Sequence, residues 1–185
     1  MTNSSDPLPQ FAGAEVQHWY AALEAKALRL LTRREQSAHE LMQRLKEADQ
    51  PRWGRPGFSP PAFLHQDEQS CHLAQLLFQL QSQGWQSDER FAASLTERLL
   101  RQGKGLLKLQ QAFAQHQLAT EITQPHLARL APLWLRQVQR VRRQKFGHEL
   151  PVDRRQAAKM QRFLASRGFT AEQIYAAVFE PENPV

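Results

Sequence analysis

The sequence predicts an all-α protein, a tandem array of three-helix repeats in three units that stack into an elongated body. Three observations carry that prediction. Apolar residues recur at i, i+3 and i+4 along most of the chain, and strand-like alternation over five or more residues is hard to find. Glycines and capping residues punctuate this pattern at helix-sized intervals. Apolar i, i+4 pairs also return with a long period. Leu109–Phe113 and Met160–Leu164 lie 51 residues apart. Leu41–Leu45 lies 68 residues before the second pair, or about 50 if the 50–61 segment is an insertion.

The elements follow in order. Residues 1–14 carry no helical pattern and are expected to be disordered. An Ala- and Leu-rich helix runs from about Glu15 to Leu31, and the next helix places Ala38, Leu41, Met42 and Leu45 on one face. The segment from Gln50 to Pro61 holds four prolines and two glycines and cannot continue a helix. Helix resumes near Glu68 and reaches Gln83. There Gly84 suits a left-handed C′ position, with Trp85 at C″ against Leu80, the contact of a Schellman corner. Ser87 can cap the following helix, whose inner face is Phe91, Leu95 and Leu99 and which Gly103 ends. Gly105 opens a helix carrying Leu106, Leu109 and Phe113. Pro125 suits the first turn of a short helix, and Pro132 starts a longer one with Leu135, Val138 and Val141 at its apolar positions. Asp153 with Gln156, and Thr170 with Gln173, form capping boxes for the last two helices. Between them, Leu164 to Phe169 repeats the corner pattern of Leu80 to Trp85, and Ile174 and Val178 face inward. The expected organisation is a repeat at 15–83 with a Pro/Gly-rich loop at 49–66, a second at 84–131, a third at 132–180, and a tail at 181–185.

Composition narrows the function classes. At 185 residues, with 41% apolar and 23% charged side chains, the chain can bury a full core without a metal or disulfide staple. Cys71 is its one cysteine and has no internal partner, which fits a reducing, cytoplasmic setting. The first ten residues show neither a basic n-region nor an apolar h-region, so no secretory signal is expected. The longest nearly apolar stretch, Leu73 to Leu80, is far short of a membrane span.

Charge is more telling. The formal net charge is +6, and it is unevenly spread: residues 1–90 carry 9 basic and 11 acidic groups, residues 91–185 carry 15 and 7. Between Arg129 and Arg167 there are 11 basic groups against Glu149 and Asp153 alone. Such asymmetry points to an anionic partner at the C-terminal half, either nucleic acid or an acidic protein surface, set against a merely solvated basic face.

Catalytic chemistry finds no support, and no catalytic residue, metal ligand set or cofactor is assigned. His39 and Glu40 begin like a zinc-protease helix, but Gln43 stands where the second histidine must be. His65, Cys71 and His72 lack a fourth ligand and read as a helix start with a buried thiol. There is no Gly-rich nucleotide loop and no Gly-x-Ser-x-Gly. Gly103-Lys104-Gly105 is open to two readings, a phosphate-contacting turn and a corner that needs glycine for conformation alone.

Three stretches resemble one family in series. Ala27 to Leu41, with Leu45 beyond, resembles the first repeat of RecX regulatory proteins. Ser87-Asp-Glu-Arg-Phe-Ala92, followed by Arg101-Gln-Gly-Lys-Gly105, resembles their second, and Arg162-Phe-Leu-Ala-Ser-Arg-Gly-Phe169, followed by Ile174, their third. The likeness spans about residues 20–180. It departs at the proline-rich 50–61 segment, where Trp53 and Phe58 either add a contact or fold back on the first repeat. The resemblance implies a non-enzymatic, monomeric modulator of the RecA recombinase, acting on its filament on single-stranded DNA and limiting ATP hydrolysis and strand exchange. Phe91, Gly103, Gly105, Phe113, Phe163, Leu164, Gly168, Phe169 and Ile174 match family positions and read as core or corner residues.

Contacts to the filament or its DNA are expected from basic groups off the apolar faces. Arg136, Arg140 and Arg143 form one stripe, which Arg33, Arg34, Arg98, Arg101, Lys104, Lys108, Arg162 and Arg167 extend. The competing reading is a general helical nucleic-acid binder, with Trp134 beside Arg136 and Phe146 beside Lys145 as stacking candidates.

Overall fold

In a computed structural model, residues 13–47, 59–61 and 64–180 are described, and these form nine α-helices and no strand. The helices are α1 Ala14–Leu31, α2 Ala38–Lys46, α3 Gln66–Ser82, α4 Asp88–Arg101, α5 Leu106–Gln115, α6 Thr120–Leu130, α7 Trp134–Phe146, α8 Arg154–Arg167 and α9 Ala171–Phe179. Trp53, Phe58 and the two termini lie outside the described residues. The chain divides into two compact units, Met1–Ser87 and Asp88–Val185.

In the first unit, α1, α2 and α3 share one apolar core of Trp19, Leu23, Ala27, Leu41, Leu45, Leu73, Leu76 and Leu80. The α1–α2 turn is held by buried amides. Gln36 donates from Nε2 to the Leu30 carbonyl at 3.0 Å, and Gln86 Nε2 donates to the Gln36 carbonyl at 3.1 Å. Ser37 caps α2 by accepting from the Glu40 amide. Helix α3 starts two residues earlier than the sequence predicts, because the Glu68 carboxylate accepts from the His65 N–H at 2.9 Å and so fixes His65 as N-cap.

The second unit has two apolar clusters joined by α7. Phe91, Ala92, Leu95, Leu109 and Phe113 from α4 and α5 surround Trp134 at the start of α7, with Ile122 and Leu127 of α6 packed alongside. Further along α7, Val138 and Val141 pack with Met160, Leu164, Phe169, Ile174 and Val178 of the α8–α9 corner. This register corrects one expectation. Leu135 is 46% exposed, and Trp134 takes the inward position instead. The buried positions of α7 are Trp134, Gln137, Val138, Val141 and Arg142. Steps of three and four from Trp134 give Gln137 and Val138, and the same steps from Val138 give Val141 and Arg142. Leu135, three before Val138, falls at the outer edge of that face.

Pro125 also sits differently. It lies inside α6, five residues past the first helical residue Thr120, rather than in the opening turn. No residue of α6 is fully buried, so a proline that removes one helix hydrogen bond is tolerated on this half-exposed element.

Candidate partner-binding surface

Several of the residues singled out by their sequence pattern, Gly103, Gly105, Gly168 and Phe169, meet at one corner of the second unit. Helix α4 ends in a Schellman corner: Gly103 N–H donates to the Leu100 carbonyl at 3.0 Å and Lys104 N–H to that of Leu99 at 2.9 Å. Helix α8 ends the same way at Gly168, with φ +87°. The two corners are then tied together. Gly105 N–H donates to the Arg167 carbonyl and Leu107 N–H to the Gly168 carbonyl, both at 2.9 Å. A Cβ on Gly105 would stand 2.5 Å from the Gly168 oxygen, and one on Gly168 would stand 2.8 Å from the Lys108 nitrogen. Close backbone approach is therefore why glycine stands at both positions. Of the two readings of Gly103-Lys104-Gly105, the geometry supports the conformational one, since these three amides all bond within the protein.

Around this corner the cations divide by what they touch. Gln137 Nε2 and Arg140 Nη2 both donate to the Leu100 carbonyl at 2.7 Å, satisfying the end of α4. Arg167 donates from Nη1 to the Gln102 carbonyl at 3.2 Å, and its guanidinium carbon lies 5.1 Å from the Phe163 ring centre. Arg101 pairs with Glu97 at 3.0 Å in an exposed i, i+4 bridge. Lys108 donates to Gln111, while Arg98, Arg136 and Arg162 stand exposed and Lys104 and Arg143 are half-buried. Arg140 is thus folded onto α4, so the stripe through Arg136, Arg140 and Arg143 is interrupted at its centre. Arg33 and Arg34 belong to the first unit, where Arg34 grips Glu40 with both terminal nitrogens and Arg44 adds a second bridge at 3.1 Å. The hydrogen bonds that Arg34 donates to the Glu40 carboxylate raise the Arg34 pKa above its ordinary value.

A cavity of about 180 Å³ opens where α4, α7 and α8 end. Arg101 and Arg167 line it together with Lys145, which the sequence reading used only as the neighbour of Phe146. A larger cavity of about 550 Å³ lies between α4 and α6, lined by both signs of charge from Glu89, Arg90, Glu121 and Arg129. There Thr96 donates to the Ala92 carbonyl at 2.7 Å, so its hydroxyl oxygen accepts from His126 Nε2 at 2.9 Å. Burial, then the Arg129 charge, hold the His126 pKa below its ordinary value.

The stacking candidates do not present open faces. Trp134 is 4% exposed in the α4–α5 core, and Phe146 packs edge-on to Phe163 with ring centres 5.4 Å apart. Phe91, Phe113, Leu164, Phe169 and Ile174 are buried, as core positions should be, while Phe163 is half-buried. Cys71 is exposed, which corrects the buried-thiol reading, because Leu73, Leu76 and Leu80 define the inward face of α3. His72 instead lies edge-on to Trp19 and Tyr20. Among the described residues, no three His, Cys, Asp or Glu side chains come together as a metal site. None of the described helices is long and apolar enough to cross a membrane.

One structural residue was missed outright. Arg142 is 1% exposed and donates to the Glu149 carbonyl at 2.9 Å and to that of His148 at 3.4 Å, holding the loop before α8. Its position four residues after Val138 was the available signal, and an arginine there reads by habit as surface.

These features define a class: an all-helical protein assembled from three-helix groups, closed at its corners by glycine and strongly basic in its second half. Residues 135–178 match the third three-helix domain of RecX. The regulatory protein RecX of Serratia proteamaculans is 34% identical over 158 residues, covering 82% of this chain and 93% of that protein. That of Halorhodospira halophila is 33% identical over 156 residues, covering 84% and 86%. The crystal structure of RecX from Lactobacillus salivarius shares the fold, with a TM-score of 0.66 over 89% of this chain and 97% of that one, at 14% identity. The chain belongs to the RecX family of regulatory proteins.

Proposed function

We propose that this protein regulates a RecA-type recombinase by binding its filament on single-stranded DNA and limiting ATP hydrolysis and strand exchange. The observation that carries this reading is the series of three family motifs in order along the chain, in a protein whose relatives are named as regulators. The charge of the second unit supports it. Residues 88–185 carry 16 basic and 9 acidic groups, a surplus suited to a filament that presents phosphate together with acidic protein surface. The working groups in this reading are the exposed cations Arg98, Arg136 and Arg162, with Arg101, Lys104, Lys108 and Arg167 at the corner.

A second reading, a general nucleic-acid binder, is favoured by the same surplus. The two separate in a co-sedimentation experiment with pre-formed filaments and with bare single-stranded DNA at matched nucleotide concentration. The filament reading expects preferential recovery with filaments, retained when free DNA is added. Equal recovery from both, with affinity falling steeply with salt, would replace it with the simpler binder.

A further inference from the structure

We propose that the cavity where α4, α7 and α8 end is a phosphate-oxyanion site, with Arg101, Lys145 and Arg167 as its three cations. The inference rests on the reading of this unit's basic groups as its working surface, and adds a specific place and chemistry to it.

The charge balance is the first support. Each of the three helices ends here and contributes about half a negative charge from its dipole. Cations at those positions would be expected for that reason alone. Three full positive charges nevertheless exceed three half-charges, and among the described residues no carboxylate lines the cavity. Glu97 draws on Arg101 from outside it, through a solvent-exposed bridge that an incoming anion can displace at little cost. The remaining polar lining, Gln102 and Gln144, is neutral and can donate from side-chain amides.

Size and order are the second support. At about 180 Å³ the cavity is smaller than sites that enclose whole organic ligands, which start at roughly 300 Å³. It suits a single small anion whose substituents leave through the mouth. Arg167 is already held by the Gln102 carbonyl and the Phe163 ring, so little side-chain freedom is lost on binding. A guanidinium has five N–H donors and this contact uses one, and the fork geometry matches phosphate oxygens. The backbone amides of Gly103, Lys104 and Gly105 take no part, because each already bonds within the protein. The shared chemistry is a phosphate oxyanion, either one group of a phosphodiester chain or a free phosphate.

The test uses the full chain without any recombinase, so failure here is distinct from failure of the filament reading. In one arm, a fluorescent 15-mer of thymidylate is titrated against wild type, Lys145→Gln, Arg101→Gln and Arg155→Gln. The last removes the same charge at the start of α8, away from the cavity. In the other arm, inorganic phosphate is titrated while the amide signals of Gly103 and Gln144 are followed by NMR. A phosphodiester ligand predicts that the two cavity variants weaken the 15-mer by roughly three- to tenfold and Arg155→Gln by less than about twofold. A free phosphate predicts signal shifts that saturate in wild type and are lost in Lys145→Gln, with the 15-mer indifferent to which charge is removed. Equal weakening by all three variants, together with unmoved Gly103 and Gln144 signals, would overturn the proposal.

Discussion

At Gly105 the backbone conformation is ordinary, yet a single methyl group has no room there. Its Cβ would meet the Gly168 carbonyl at 2.5 Å and the Phe169 ring at 2.7 Å, and the carbonyl belongs to a corner that is itself hydrogen-bonded. Gly105→Ala is expected to lose about 1–3 kcal/mol in urea unfolding, as overpacking does. Gly84 is the control. Its left-handed φ of +76° strains an alanine, but nothing lies within 4 Å of the added carbon, so Gly84→Ala should lose only about 1–2 kcal/mol. His126 offers a pH test. With its folded pKa lowered, the neutral form is favoured in the native state. Its contribution is complete above the unfolded value near 6.5 and fades as pH falls toward the lowered folded value. Thermal unfolding of wild type should therefore weaken more between pH 7 and pH 5 than that of His126→Gln.

Helix ends were the most legible elements, because their chemistry is local. Gly84 and Gly168, each followed by an aromatic residue, read as Schellman corners, and both form the expected pair of bonds. Thr170 and Gln173 bond reciprocally as a capping box. Asp153 caps α8, but Gln156 reaches back one residue further, to the Val152 N–H at 2.9 Å. A corner without glycine was not legible. Gln117 takes φ +51° at the end of α5, with Leu118 N–H bonded to the Phe113 carbonyl as in the glycine corners. Gln117→Gly should relieve that strain and stabilise the protein by about 1 kcal/mol, read as a raised urea midpoint. Burial of Trp134 in place of Leu135, and of Arg142, was hidden for a different reason: which flank of α7 turns inward is set by α4 and α8, not by α7 alone.

At the scale of the molecule, the fold followed from periodicity, and the site only in part. Arg101 and Arg167 are 66 positions apart in the chain, and their meeting with Lys145 depends on the hydrogen bonds that join the α4 and α8 corners. Nothing in local spacing encodes that meeting. The surplus of charge was legible as a number but not as a surface, since Arg140 turns onto the α4 carbonyls and Arg34 onto Glu40. Regulation of a recombinase filament is the central claim, and ATP hydrolysis on pre-formed filaments tests it most directly. Titrated into such filaments, the protein should depress hydrolysis at one molecule to many recombinase subunits, and added single-stranded DNA should not restore it. Hydrolysis that stays constant until the protein is abundant enough to coat the DNA, or that recovers when DNA is added, would contradict the claim.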